Sequence, residues 1–169
     1  MLDRLEPQGP AVGRKRDPIE CELPFEYWVF GRPVSYRNEE EERPPGYPRW
    51  RAKVKSAAAE VADDLSKGRG FVLTTALVEV RVHWLSGDPT DETQPDLDNV
   101  LKPLLDALVK LVIDDDRQVH RLIAEKGSIN AMPEELAHIK DEIVDDDRFV
   151  RDGEVTVVRV FELEWGVIA

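Results

Sequence analysis

Cysteine is almost absent. The lone Cys21 excludes an internal disulfide and any multi-cysteine zinc or iron–sulfur site. Histidine is scarce as well: His83, His120 and His138 are too few for a histidine-rich metal centre. No apolar run approaches the roughly eighteen residues that span a bilayer, so no membrane partner is expected. The N-terminus has no hydrophobic stretch of signal-peptide type, which sets the expectation of a cytoplasmic protein. Basic residues are in deficit too. Lys plus Arg number 23 against 35 for Asp plus Glu, a net charge of −12, which argues against a protein that coats DNA by overall positive charge. What remains is a 169-residue chain, 41% apolar and 34% charged, long enough to bury a core in one domain without disulfide staples.

Residues 1–20, with Gly9, Pro10, Gly13 and Pro18 and no apolar periodicity, read as a flexible arm before a single domain over 21–169. Phe25 to Arg32 is aromatic and β-branched, a short strand stopped by Pro33. An irregular loop carrying the acidic run Glu39–Glu42 follows. Arg49 to Lys67 reads as a helix with Val54, Ala58, Val61 and Leu65 on one stripe and Gly68 at its end. Phe71 to Leu85 alternates as a long strand, Val78, Val80, Val82 and Trp84 inward, Glu79, Arg81 and His83 toward solvent. A second helix fills about Asn99 to Val112 with a leucine stripe, its start uncertain because of Pro103. Gln118 to Lys126 is a third strand and Glu154 to Trp165 a fourth, on whose apolar face Arg159 is the exception. The polar stretch at about 128–153, with a short helix at 133–140, reads as an acidic insertion. The order β-α-β-α-β-β predicts an α+β fold, one four-stranded mixed sheet with two helices packed on one face.

The chemistry concentrates in Pro95-Asp96-Leu97-Asp98-Asn99-Val100-Leu101-Lys102. On an extended segment Asp96 and Asp98 point the same way, with Leu97 turned into the core. Two anions so close repel unless a cation lies between them. A hard divalent ion such as magnesium, which takes oxygen ligands, is the natural partner. Lys102 falls one helical turn from Asp98, suited to balancing charge on a phosphate. The competing reading is an Asp98–Lys102 surface pair with Asp96 or Asp98 as helix cap. A second acidic cluster, Asp114-Asp115-Asp116, follows the helix, and only a chain that folds back brings it to the first. Asp145-Asp146-Asp147 is an internal control with no such context.

The string Asp96-Leu97-Asp98-Asn99…Lys102…Asp106-Ala107-Leu108, followed by Asp115-Asp116-Arg117-Gln118-Val119, resembles the RusA family of Holliday junction resolvases. The strand before Pro33, Ser35 and Tyr36 is similar to that family's opening. The resemblance implies a homodimeric, Mg2+-dependent endonuclease, with Mn2+ as substitute, that cuts four-way DNA by paired symmetric nicks in recombination and repair. It implies catalytic roles for Asp96, Asp98, Lys102 and Asp116 and metal ligation by Asp96, Asp98 and Asp116, with Asp115 the neighbouring choice. The acidic net charge departs from the family's usual basic character and leaves two alternatives: a protein that holds branched DNA or a protein partner without cutting, and a nuclease of broader flap, fork or single-strand specificity.

DNA binding needs a local basic patch that displaces counterions from phosphates. Arg43, Arg49, Arg51, Lys53 and Lys55 form the most basic stretch in the chain and are the candidates, against a merely solvated helix end. His120 lies near enough to the acidic turn to line the site. Trp50 is expected to pack rather than stack on a base.

Overall fold

The last strand of the chain lies inside the sheet. The computed structural model describes residues 16–37 and 44–164. In chain order these form β1 (Ile19–Glu20), β2 (Phe25–Phe30), α1 (Tyr47–Ser66), β3 (Phe71–Val72), β4 (Val78–Ser86), α2 (Asp98–Asp106), β5 (Val119–Ser128), α3 (Lys140–Val144), α4 (Asp147–Asp152) and β6 (Glu154–Glu162). Short 3-10 turns occupy Asp116–Gln118, Ile129–Ala131 and Glu134–Ile139. The main sheet runs β2-β6-β4-β5, antiparallel except for the parallel β4–β5 pair, so the expected four-stranded mixed sheet of an α+β fold is present.

As expected, α1 and α2 cover one face. Val54, Ala58, Leu104 and Leu108 pack on Phe25, Tyr27, Val80, Val82, Val158 and Val160. Each such buried valine, leucine or phenylalanine favours folding by about 1.5–3 kcal/mol relative to exposure. The opposite face is covered as well, which the sequence reading missed. Ile129, Leu136, Ile139 and Ile143 bury Phe30, Leu85, Val155 and Val157. The stretch read as an acidic insertion is therefore a packed layer. Its few apolar residues recur at helical spacing among many charges, and average polarity hid them.

Covering both faces changes the meaning of β4 and β6. Glu79 and His83 are 4% and 1% exposed instead of facing solvent. Their polar atoms meet a charged network: Glu79 accepts from Arg81 (2.5 Å) and Arg121 (2.8 Å), and Glu135 from Arg81 (2.6 Å) and Arg159 (3.1 Å). The His83 ring nitrogens lie 3.3 Å from Glu125 and 3.1 Å from Glu135. Burial pushes the Glu79 and Glu135 carboxyls up, but arginine hydrogen bonds outweigh it and hold both below their ordinary range. Arg159 belongs to this network, 2.8 Å from Glu26, and is no exception on an apolar face.

The expected long strand Phe71–Leu85 is split. β3 leaves the main sheet to pair in parallel with β1, so Ile19–Glu20, within the expected arm, is a short strand. Residues 1–15, Glu39–Glu42 and Trp165 lie outside the described residues. Among the described residues no helix is long and apolar enough to cross a membrane.

Candidate active site

The segment before α2 is pinned from two sides. Arg32 bridges Asp91 (2.5 Å), the Thr93 hydroxyl (2.9 Å) and the buried Glu154 (2.8 Å), and Glu154 also accepts from the Trp84 indole at 2.9 Å. Hydrogen bonds from the Thr93 side chain, its backbone N–H and Arg32 draw the Asp91 carboxyl down to about 2. On the other side the Lys126 ammonium, 4.5 Å from the centre of the Trp84 ring, donates to the Pro95 carbonyl at 2.6 Å. The chain is thus fixed immediately before Asp96.

The Asp96-Leu97-Asp98 segment differs from the expected extended pair. Leu97 is helical, at φ −60° and ψ −42°, and α2 starts at Asp98. With a helical residue between them the two aspartates do not stand side by side on one face. Both are exposed, neither carboxylate caps the helix, and neither has a hydrogen-bond or ion-pair partner among the described residues. Asp98 sits in the first turn, where the helix dipole favours an anion.

Pro103 has a local consequence. Proline carries no N–H, so the Asn99 carbonyl one turn earlier lacks its helical donor. The Tyr36 backbone N–H supplies the bond instead, at 2.5 Å. This ties the loop after β2 to the first turn of α2. The Lys102 ammonium lies 5.7 Å from the centre of the Tyr36 ring, which is 5.7 Å from the Tyr47 ring. Lys102 pairs with Asp106 at 3.1 Å, not with Asp98. Its hydrogen bond to Asp106 raises its pKa, partly opposed by burial, and Asp116 adds to the field that keeps it protonated.

Asp116 comes near Lys102 because the chain folds back. After α2 it passes through tight turns, bridges Thr74 at Ile113, and starts β5 parallel to β4. Gln118 fastens the return: its amide donates to the Thr74 and Ala76 carbonyls (2.8 and 3.0 Å) and accepts from the Asp114 and Asp115 backbone (2.8 and 3.2 Å). The same contact lies at the break between β3 and β4.

The three aspartates of the turn have different surroundings. Asp114 is ion-paired with Lys110. Asp115 caps the 3-10 turn and grips Arg117 through both oxygens (2.8 and 3.0 Å), and the Arg117 side chain, then its backbone N–H, holds the carboxyl well below the usual range. Asp116 is exposed beyond the cap. The control triplet behaves alike: Asp146 caps α4 and pairs with Arg148 at 2.8 Å. In both Asp-Asp-Asp-Arg strings the middle carboxylate serves the fold.

Oxygen donors of Asp96, Asp98 and Asp116 suit a hard divalent ion in kind. Among the described residues, however, no three Asp, Glu, His or Cys side chains stand close enough together to enclose one. The structure brings Asp116 toward Lys102 and Asp98 onto the same helix as Lys102, without closing a cage.

Of the basic candidates, Arg43 lies outside the described residues. Lys53 is engaged: it donates to the Phe30 carbonyl and lies 4.0 Å from Asp152. Arg49, Arg51 and Lys55 are exposed and make no ion pair among the described residues. Arg51 and Lys55 line a groove of about 540 Å3 with Pro44, Pro45, Tyr47 and Pro48, and Tyr47 joins it to Tyr36 and Lys102. Trp50 is buried in the core. His120 is exposed on the extra residue of a register shift between β4 and β5. Sequence reasoning gave no role to Tyr36, Asp106 or Lys126; the proline inside a helix was the one available sign that Tyr36 would be recruited.

The family model described as endodeoxyribonuclease RusA matches residues 31–140, a span that includes α1, α2, β4 and β5. No curated protein matches the chain.

Proposed function

The chain belongs to the RusA family of endodeoxyribonucleases, and from that premise we propose that it is a Mg2+-dependent homodimeric nuclease that resolves four-way DNA by paired symmetric nicks. The observation that carries the reading is the state of the carboxylates around Lys102. Asp98 is exposed at the start of α2, without a cap role or partner among the described residues, on the helix whose Lys102 feels Asp116. An exposed carboxylate that no protein group engages is free to take up a hard cation.

In this reading Asp96, Asp98 and Asp116 hold the ion, and Asp115 does not, because both its oxygens already serve Arg117. Magnesium usually keeps several waters and takes only one or two carboxylates, so an open arrangement suits it. When bound, the ion supplies Lewis acidity and charge neutralisation at a scissile phosphate. Lys102, whose charged form Asp106 favours further, contributes positive charge to the phosphate and does not accept a proton. Arg51 and Lys55 draw the backbone of one strand along their groove toward Tyr36. Among the described residues most other arginines are committed to carboxylates, so these cations stand out despite a net charge of −12.

The lack of a three-carboxylate cage favours one second reading, a protein that grips branched DNA without cutting it. Incubation with a synthetic four-way junction, a flap, a fork and single strands in Mg2+ or Mn2+ separates the two. Paired nicks at the junction support the proposal. Retained junction binding with no nick in either ion overturns it, and preferential cutting of flaps or single strands replaces its substrate.

A further inference from the structure

β5 is the outer strand of the main sheet, bonded to β4 along one side. Such an edge templates pairing with another chain, and natural edges are usually shortened, bulged or guarded by proline or lysine. β5 runs 10 residues without proline. Its register shift falls at the Val78/Glu79 end, and its one lysine, Lys126, is folded over Trp84. The middle of the strand is apolar and open, with Leu122 and Ile123 40% and 37% exposed on opposite faces.

The strand is also its own complement. Reversed about Ile123, it sets Ile123 against itself, Leu122 against Ala124 and Arg121 against Glu125. Centring on Leu122 instead sets Arg121 against Ile123, and centring on Ala124 sets Ile123 against Glu125. The Arg121 and Glu125 side chains, 54% and 58% exposed, already lean on Glu79 and His83 within one copy and keep their outer sides open. Beside Ala124 to Gly127 the edge floors a hollow of about 580 Å3 between Leu97 and Pro133.

We infer that β5 is the seam between two copies of this chain, paired antiparallel about Ile123 into one continuous sheet. Antiparallel pairing of identical edges requires a two-fold axis normal to the sheet. That axis keeps α1 and α2 of both copies on the same face. Both α2 helices and both Arg51–Lys55 grooves then lie on one side of the joined sheet, the side on which paired nicking would need them. The use of the seam rests on the nuclease reading; its existence does not.

The test is an Ile123→Cys variant of the full chain. Across an antiparallel pair the two Cα atoms lie about 4.5–5.5 Å apart, within disulfide range. The native Cys21 is buried, and burial pushes its thiol up, so it does not compete. Mild oxidation at micromolar concentration should convert Ile123→Cys to a reductant-sensitive covalent dimer, while Val150→Cys, on the 74% exposed Val150 of α4, forms no covalent dimer. Ile123→Lys should halve the mass seen by light scattering while its circular-dichroism spectrum stays that of the folded protein. A monomeric wild-type protein, or a dimer that Ile123→Cys does not lock and Ile123→Lys does not split, overturns the seam. A locked dimer that cuts no DNA rejects the nuclease reading and leaves the seam standing.

Discussion

Replacing Lys102 with methionine separates a working charge from a decorative one. The ammonium forms an i,i+4 pair with Asp106, the two side chains being 48% and 35% exposed. An exposed pair of this kind contributes about 0.3–0.5 kcal/mol. The Tyr36 ring, 5.7 Å away, is near the limit of a cation–π contact, which at exposed sites is worth about 0.5–1 kcal/mol. The total stability cost stays near 1 kcal/mol, a fall in melting temperature of about 2–4 °C for a domain of this size. If the same charge meets a phosphate as negative charge develops, its loss costs about 10²–10³ in rate. Junction nicking under single-turnover conditions and thermal denaturation, measured on the same sample, give both numbers. Lys102→Arg should recover part of the rate. Asp106→Asn should leave it within about threefold, because an unpaired lysine near pKa 10.4 is still protonated at neutral pH. Nicking by Lys102→Met within threefold of wild type refutes the reasoning and returns Lys102 to the role of a helix-surface ion pair.

Ile143→Ala, at a fully buried position of the 129–152 layer, should destabilise the fold by about 2–4 kcal/mol in urea titration; a loss below about 0.5 kcal/mol would mean the layer is a dispensable insertion. Arg51→Ala with Lys55→Ala should weaken junction binding and flatten the slope of log K against log salt by about 0.9 for each phosphate no longer neutralised. Arg151→Ala, whose arginine is already paired with Asp152 at 2.8 Å, should not change that slope. Glu79, Glu135 and Asp91 have folded-state pKa values held below their unfolded ones, Asp91 at about 2. Their stabilisation is present above the unfolded values near pH 4 and is lost as pH falls toward 2, so melting temperature should be flat from about pH 8 to 5 and drop below about pH 4. A steady decline beginning at pH 6 would contradict that assignment.

The alternation in β4, the stripe of α1 and the leucines of α2 were legible because each is a local periodicity. Which strands lie in the middle of the sheet is not local. β4 and β6 are buried on both faces, yet Glu79, His83 and Arg159 look like a solvent face until Arg81, Arg121 and Glu135 are known to meet them. The covering layer escaped notice for the matching reason: Leu136, Ile139 and Ile143 are outnumbered by acids. At the candidate site, the motif residues were found by their order, but their geometry was not. One helical residue, Leu97, undoes the side-by-side aspartates expected of an extended segment. The choice between Asp115 and Asp116 was open in sequence; the proposal of Asp116 rests on Arg117, whose bond to Asp115 is repeated by Arg148 and Asp146.

Direct titration with Mn2+, followed by its electron paramagnetic resonance signal, bears most closely on the claim that Asp98 and Asp116 serve one cation. Saturable binding by the wild-type protein should weaken at least tenfold in Asp98→Asn and in Asp116→Asn, since even the loss of a group that only supports a ligand costs about 10–100-fold. Asp145→Asn should bind as wild type does. Equal binding by all four proteins, or none that saturates, would contradict the account.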